Sequence, residues 1–545
     1  MYLKIKNLLI SVMMFICCIG LYTTVNAEEQ MKGMWISTVY NLDYPSNPTT
    51  DSEQLKAEAD KILNDCQNMG INNIFLQVRP NSDALYKSSI YPWSEYVTGK
   101  QGVAPSNNFD PLQYWIDGAH SRGMKLHAWV NPYRATKVKN GSVDALSGLA
   151  ENNPAKLHPE YIIKYTDGNY YYNPALPAVR QLVIDGIMEI VNNYNVDGIH
   201  MDDYFYPGSD FDDSVSFTQL SAGYTDKSQW RRNNVNLLVE GIKSAIDTVN
   251  PDIEFGISPA GIWANSSNNP LGSDTSGNEA YYSHYADTRK WALEGTVDYI
   301  APQIYWEIGH SKADYAILVK WWSDTLKDSP TKLYIGLADY KANGVTDTNN
   351  TWYGGNEIVK QLNLNKSTEK VNGEIHFRYK MIINTPGLSD KIKQFYQSNN
   401  GTTATTQATT VQTTKETSTE TTTQYSDKNE IKVKVNGEYV KFDQKPVIEN
   451  DRTLVPMRAI FEALGADVEW FNDTQSVIAE NKEGVRITLI IGSKNMLINN
   501  KDMVILDVPA KIMGSRTMVP LRAISEAFDC KVEWDGESKL VTITN

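Results

Sequence analysis

Cysteine is scarce in this chain of 545 residues, basic charge is in deficit, and phenylalanine is rare beside the other aromatics. Four cysteines exclude a scaffold built on disulfides. With 51 Lys+Arg against 65 Asp+Glu the formal charge is −14. A nucleic-acid binder would carry a basic footprint, so no nucleic-acid partner is expected. There is no HExxH or HxH spacing for a metal. Gly256, Ile257 and Ser258 lack the glycine pair of an acyl-transfer nucleophile elbow. What the chain has in quantity is 13 Trp and 31 Tyr against 13 Phe. Eleven of the Trp and 27 of the Tyr fall in residues 28–400.

The length predicts about three domains. Residues 1–27 read as a secretory signal peptide: Lys4 and Lys6 precede an apolar stretch over 8–21, and Val25, Asn26 and Ala27 supply the cleavage pattern. The apolar stretch is short for a membrane span, so a secreted protein with no membrane association after cleavage is expected, associated with a bacterial wall or surface. Loss of the two lysines takes the formal charge from −14 to −16. In residues 401–425 thirteen of twenty-five positions are Thr, a composition unable to bury enough apolar surface to offset its ordering entropy. The expected plan is a barrel domain over 28–400, a Thr-rich linker over 401–427 and a small domain over 428–545.

The small domain repeats itself. RTLVPMRAIFEALGADVEW (452–470) and RTMVPLRAISEAFDCKVEW (516–534) are identical at 12 of 19 positions. Pro456 and Pro520 stand at helix starts, and a strand ending in Trp470 or Trp534 follows each helix, which predicts an α+β unit built twice. These residues resemble the copper amine oxidase N-terminal-like domain, an accessory module of bacterial surface proteins. All seven histidines precede residue 401, so no cofactor is expected despite the name. The module reads as an attachment domain for a surface polymer or protein, with Arg458 and Arg522 in structural roles.

In the larger domain, apolar strands over 34–39, 73–79, 125–131, 198–202, 254–258, 299–305, 333–338 and 374–377 alternate with amphipathic helical stretches such as 52–69, 177–193 and 230–248. This predicts a (β/α)8 barrel of the TIM type with insertions. A doubly wound sheet is disfavoured because no Gly-rich phosphate loop follows the first strand. Period-2 alternation places Ser37, Arg79, Asn131, Asp202, Ser258 and Gln303 last on the inward faces, all polar and all at the C-terminal mouth. Strict alternation sets Asp339 on the aliphatic face, so either a bulge intervenes or Asp339 lies on the following loop.

Carboxylates follow several strands. Glycoside cleavage needs two, one to protonate the leaving oxygen and one to attack or activate water. Asp202 is the first candidate for nucleophile or base, with His200 below it, and Glu307 for general acid, with desolvating neighbours Tyr305 and Trp306. Asp203 rivals either. A metal set of His127, His200 and Asp202 is weaker, because inward barrel histidines more often make hydrogen bonds.

The motifs MKGMWISTVYNLDYP (31–45), QVRPNSDALYKS (77–88), HAWVNPYR (127–134), VDGIHMDDYFYP (196–207), FGISPAGIW (255–263), PQIYW (302–306) and YIGLADYK (334–341) resemble glycosyl hydrolase-like family 10 over roughly residues 31–395. The resemblance implies O-glycosyl hydrolysis, in some members of peptidoglycan glycan strands lacking stem peptides. It also implies functional roles for Arg79, Asp83, Asn131, Arg134, Asp202, Asp203, Tyr204, Trp263, Gln303, Tyr305 and Trp306. Lys32 and Ala175 depart from residues common in the family, and neither is a proposed catalytic group. VDGIHMD is also similar to the fourth-strand motif of amylase-type barrels, whose last Asp is the nucleophile. Aromatics stack on sugar faces while their polar tips bond hydroxyls, so Trp93, Trp263, Tyr305, Trp306, Tyr204 and Tyr206 are expected to line a glycan cleft. The competing expectations are a carbohydrate-binding protein on an inactive barrel and a surface adhesion protein.

Overall fold

The computed structural model describes residues 30–399 except 138–144 and 222, and residues 431–544 except 443, 450–451, 472–475, 483, 492–494, 499–501, 514–515, 529 and 537. The expected signal segment 1–27 and linker 401–427 lie outside the described residues. The described residues fall into two compact units.

The first unit is a closed barrel of eight parallel strands in sequential order. They are β1 (Met31–Ile36), β2 (Asn73–Arg79), β3 (Lys125–Val130), β4 (Gly198–Met201), β5 (Glu254–Ile257), β6 (Tyr299–Ile300), β7 (Lys332–Leu337) and β8 (Val371–His376). The longer helices between and after them are α1 (Ser52–Met69), α2 (Pro111–His120), α3 (Pro177–Asn193), α4 (Lys227–Val249), α5 (Thr288–Glu294), α6 (Tyr315–Thr325), α7 (Asn356–Lys366) and α8 (Leu388–Asn399). Sequence chemistry sets their ends. The Asp51 side chain accepts from the Glu53 and Gln54 amides to start α1, and Gly70 at φ 87 stops it. Leu55, Ala59, Ile62 and Cys66 then share the buried face toward the strands.

Three strand boundaries depart from expectation. β1 starts and ends earlier than 34–39, because the chain turns at Val39–Asn41, where Tyr40 and Asn41 take positive φ. β6 keeps only two residues of 299–305: Pro302 has no N–H to give a ladder, and beyond it Gln303 makes only isolated bridges to Ala260 and Gly336. β8 runs Val371–His376 instead of 374–377.

Inside the barrel, bulky rings fill the space that small residues leave. Met31, Trp35, Phe75, Trp129, Tyr299, Tyr334 and Ile375 pack as one cluster. A Cβ on Gly33 would stand 2.8 Å from Phe75, one on Gly198 2.1 Å from His127, and one on Gly256 2.1 Å from Tyr299. The barrel is therefore a packed core with its chemistry confined to one end.

In the second unit, strand Arg452–Pro456, helix Met457–Ala463 and strand Asp467–Phe471 are matched by strand Arg516–Pro520, helix Leu521–Ala527 and strand Lys531–Asp535. The two leading strands pair antiparallel, Leu454 with Pro520, Val455 with Val519 and Pro456 with Met518. Val455 thus faces its own counterpart Val519, and Leu454 and Pro456 each face the counterpart of the other, as a local two-fold requires. Phe461 and Phe528 meet edge to face in the core, with ring centroids 5.7 Å apart.

Candidate active site

The site begins below its own surface, with a file of hydrogen bonds through the barrel core. Trp35 Nε1 can only donate, and it lies 3.1 Å from His200 Nε2. That nitrogen is therefore unprotonated, and His200 Nδ1–H donates to the Tyr299 hydroxyl at 3.0 Å. The Tyr299 hydroxyl donates to His127 Nδ1 at 3.2 Å, and His127 Nε2–H donates to Asn73 Oδ1 at 3.3 Å. Both rings stay neutral. Burial holds His127 down to about 4, and burial together with His127 holds His200 well below the usual imidazole value. Ser258 Oγ closes on His200 Nε2 at 3.0 Å and floors the mouth.

Above this floor stand two consecutive carboxylates at the end of β4. Asp202 is 5% exposed. Its Oδ2 accepts from the Asn131 amide and its Oδ1 from Tyr204 N at 3.2 Å. Asn131 is itself fixed: its Oδ1 accepts from Gln77 Nε2 at 2.8 Å, and Gln77 Oε1 accepts from the backbone of Thr38 and Val39, each at 3.0 Å. Three strands and a turn thus orient one carboxylate. Asp203 is less buried, and its Oδ1 accepts from Gln303 Nε2 at 3.0 Å, while the same amide reaches Ser258 O at 2.8 Å. Burial, then the neighbouring Asp203 charge, push Asp202 up to about 6 against the pull of Arg134 and Asn131. Burial also raises Asp203 against the pull of His284, Gln303 and Arg134. The pair therefore holds a proton more readily than free carboxylates do.

Around the pair, Arg134 is anchored by Nε on Pro80 O at 2.9 Å and lies 5.5 Å from the ring centre of Tyr204. Tyr204 is 46% exposed, and the Asp203 charge and burial push its hydroxyl to about 12. Tyr305, two residues past Gln303, is half-buried, its ring stacked 5.9 Å from Phe377 and edge-on to Tyr340. Burial, then the Asp203 charge, raise its hydroxyl. Trp93, Trp306 and Glu307 are also half-buried. The Lys341 ammonium feels the charge of Glu307, whose carboxylate accepts no hydrogen bond among the described residues.

Asn131, Asp202, Asp203, Arg134, Tyr204, Gln303 and Tyr305 thus gather at one end of the barrel. Six other expected residues do not reach the mouth. Arg79 is turned away by a bulge: Gln77 pairs with Trp129 but Arg79 with Val130, so the strand slips one residue and the inward place belongs to Gln77. The Arg79 guanidinium packs 4.7 Å from the Tyr91 ring centre, where a Cβ on Gly186 of α3 would strike it at 2.2 Å. Asp83 is wholly buried on the loop after β2, where burial lifts it to about 6. His200 has both nitrogens engaged inside the core and supports the mouth from below. Tyr206 is buried against Phe211, Tyr285 and Arg231. Trp263 is 4% exposed, stacked on Trp321 with its Nε1 on Asp287 at 3.1 Å. Asp339 lies in a turn past β7 and faces His376 at 3.0 Å, which donates to it beneath α8. Trp322 packs as its helical spacing implies, wholly buried with Nε1 on Gly261 O.

Gln77, Trp35 and Tyr299 are not among the residues that the sequence singles out, though Gln77, two before Arg79, shares its phase along β2. His284, whose charge acts on Asp203, sits in a loop with no periodic or motif signal.

In the second unit a groove of about 540 Å³ is lined by Ile498, Val504, Ile505, Arg522, Glu526 and Trp534. Arg458 and Arg522 are both exposed, and Arg522 lines the groove. The residues do not fit copper: no imidazole is present, and the single thiol, on Cys530, is buried against Phe528 O.

A family model described as glycosyl hydrolase-like 10 matches residues 30–354, and one described as copper amine oxidase N-terminal domain matches residues 434–543. Glycosyl hydrolase YngK of Bacillus subtilis (strain 168) is 40% identical over 69% of this chain and 74% of its own length. Glycosyl hydrolase DigH of Escherichia coli (strain K12) is 41% identical over 65% of this chain and 84% of its own length. An endo-beta-1,4-mannanase structure from Thermotoga petrophila is 12% identical, with a TM-score of 0.43 over 68% of this chain and 77% of that one. The chain belongs to glycosyl hydrolase-like family 10 and carries a copper amine oxidase N-terminal domain behind its barrel.

Proposed function

We propose that the barrel hydrolyses internal O-glycosidic bonds in a bacterial wall polysaccharide, the glycan strands of peptidoglycan stripped of stem peptides. The carrying observation is the pair Asp202 and Asp203, two proton-retaining carboxylates fixed by Asn131, Tyr204 N and Gln303 at a mouth walled by Tyr204 and Tyr305. Hydrolysis of an acetal needs a group that gives a proton and one that keeps its charge, and two adjacent carboxylates with unequal surroundings divide these roles. Asp203 is the better proton donor than Glu307, because it shares the mouth with Asp202 whereas Glu307 faces Lys341. The relatives named glycosyl hydrolases support the same reaction class. Purified protein incubated with denuded glycan strands should release new reducing ends. Asp203→Asn should lose that activity, and Glu307→Gln should keep it. Full activity in Asp203→Asn would refute the assignment of the donor.

The location follows the same line. Residues 1–27 export the chain, and the second unit holds it on a surface polymer, with the groove beside Trp534 as the contact. Fractionation of expressing cells should find the mature chain beginning at Glu28 in the wall or medium. Retention of the full-length chain in the cytoplasm would refute export.

A further inference from the structure

Outside the barrel core, at the end of β8, lies a buried charge cluster that the hydrolysis does not use. Ile375 points into the core, so Glu374 and His376 point the other way, and both are wholly buried. The Tyr396 hydroxyl of α8 donates to Glu374 Oε1 at 2.7 Å, and a hydroxyl has one proton to give. Its oxygen is left to accept from His376 Nε2–H at 2.9 Å. On the other side of the ring the Asp339 carboxylate accepts from Nδ1–H, at 3.0 and 3.1 Å to its two oxygens. Both nitrogens carry protons, so His376 is an imidazolium, unlike the neutral His127 and His200. Burial opposes that charge, yet Asp339 and Glu374 outweigh it and raise the ring above its ordinary value.

The ion pair has a third member. Asp339 Oδ2 also accepts from Phe377 N at 3.1 Å, an N–H shared with Leu337 O at 3.0 Å. Tyr340 N donates to Phe377 O at 3.1 Å. One residue on, Arg378 Nη1 donates to Leu42 O at 2.7 Å and to Asp43 Oδ1 at 2.8 Å. The segment 376–378 is thus tied to two buried carboxylates, one on each side of Phe377. The Phe377 ring stacks on Tyr305 and meets Trp35 edge-on, with centroids 5.9 and 5.8 Å apart. A run of contacts therefore leads from a buried ion pair to an aromatic wall of the mouth. Such a pair adds little net stability over packed aliphatic residues, because each charge gives up its water. What it supplies is direction: a charged acceptor fixes the N–H it holds more firmly than packing does.

We infer that His376 and Asp339 are positioning residues of the site: their ion pair fixes the backbone of Phe377, and Phe377 seats the Tyr305 ring against which the sugar packs. This rests on the reading of the barrel as a glycosidase and extends its machinery to residues that touch no substrate.

The test uses the full chain, a soluble oligomer of denuded glycan, and two substitutions that each keep half of the imidazole. His376→Asn sets an amide N–H where Nδ1–H stands, so it keeps the donor to Asp339 and loses Tyr396. His376→Gln sets its amide where Nε2–H stands, so it keeps Tyr396 and loses Asp339. The value of kcat/KM should fall by about tenfold or more in His376→Gln and by no more than about threefold in His376→Asn. Phe377→Leu strands no buried charge and should lose about as much as His376→Gln. In a chain already carrying Tyr305→Leu, the further losses from His376→Gln and Phe377→Leu should shrink to about twofold or less, because both act through that ring. Should neither His376 variant fold, the Phe377→Leu and Tyr305→Leu pair decides alone. An equal or larger loss in His376→Asn would mean that the ring serves α8 through Tyr396. That result, full activity in Phe377→Leu, or an undiminished loss beside Tyr305→Leu would overturn the inference while leaving the glycosidase reading standing. Absence of hydrolysis by the wild-type chain would sink both.

Discussion

Asn131 touches no solvent to speak of, yet its amide links Gln77 to Asp202 and so sets the angle of the carboxylate. A hydrogen bond to a charged group contributes about 1.5–3 kcal/mol, so Asn131→Ala should lower kcat by about 10–100-fold. KM should move little, because the side chain acts through Asp202. Steady-state kinetics on a soluble glycan oligomer separate the two, and a change confined to KM would contradict the positioning role. The same residues give a pH dependence. Burial and mutual repulsion make the Asp202–Asp203 pair titrate as a unit, with Asp202 raised to about 6, and the reaction needs one proton on the pair. The kcat/KM profile should therefore fall as pH rises beyond the last ionisation of the pair; a profile flat from pH 5 to 9 would contradict it. Asp83 sets a stability counterpart. Its folded value of about 6 exceeds the ordinary 3.8, so between these values the folded chain keeps a proton that the unfolded chain has lost. Its contribution to stability falls as pH rises through that window, by about 3 kcal/mol in all. Asp83→Asn should therefore raise Tm relative to wild type at pH 8 and not at pH 4. Equal shifts at both would show that ionisation is not the cause.

At the scale of elements, the barrel works because small residues on some strands make room for rings on others. Gly198→Ala would set a methyl 2.1 Å from His127 Nδ1, on a ring pinned by Tyr299 and Asn73. The expected cost is about 1–3 kcal/mol, read by urea unfolding, with loss of the neutral histidine file beneath the mouth. Unchanged stability would mean the core is looser than its hydrogen bonds indicate. Periodicity carried the element scale well where strands are regular: β2 is found at 73–79 and most strands lie within a residue or two of their expected starts. It set Asn131, Asp202, Ser258 and Gln303 at the mouth. It failed where local geometry leaves the strand. A one-residue bulge moves Arg79 outward and Pro302 ends β6 early, whereas Asp339 lies past β7 in a turn, one of the two places left open for it, and faces His376. Composition gave no depth either. Tyr206 and Trp263 are the right residue types near the right strands, but their neighbours Tyr285 and Trp321 cover them. Phase along a strand tells which face a side chain takes; only the tertiary neighbours tell whether water reaches it.

At the scale of the molecule, the aromatic excess belongs to the barrel unit and divides between packing and site. Trp35, Trp115, Trp230, Trp291 and Trp322 are fully buried, whereas Tyr204, Tyr305, Trp93 and Trp306 remain accessible to a ligand. Each unit has its own apolar core, so removal of residues 401–545 should leave turnover of a soluble oligomer intact while weakening attachment to insoluble wall. Equal loss on both substrates would mean that the second unit takes part in catalysis. Among the described residues no helix is long and apolar enough to cross a membrane. The central claim, hydrolysis of a glycan at the Asp202–Asp203 pair, is tested most directly by digesting denuded glycan strands in oxygen-18 water and weighing the products. One heavy oxygen should appear at each new reducing end with the wild-type chain, and no new ends should appear with Asp202→Asn. Products lacking the label, or an Asp202→Asn chain as active as wild type, would contradict it.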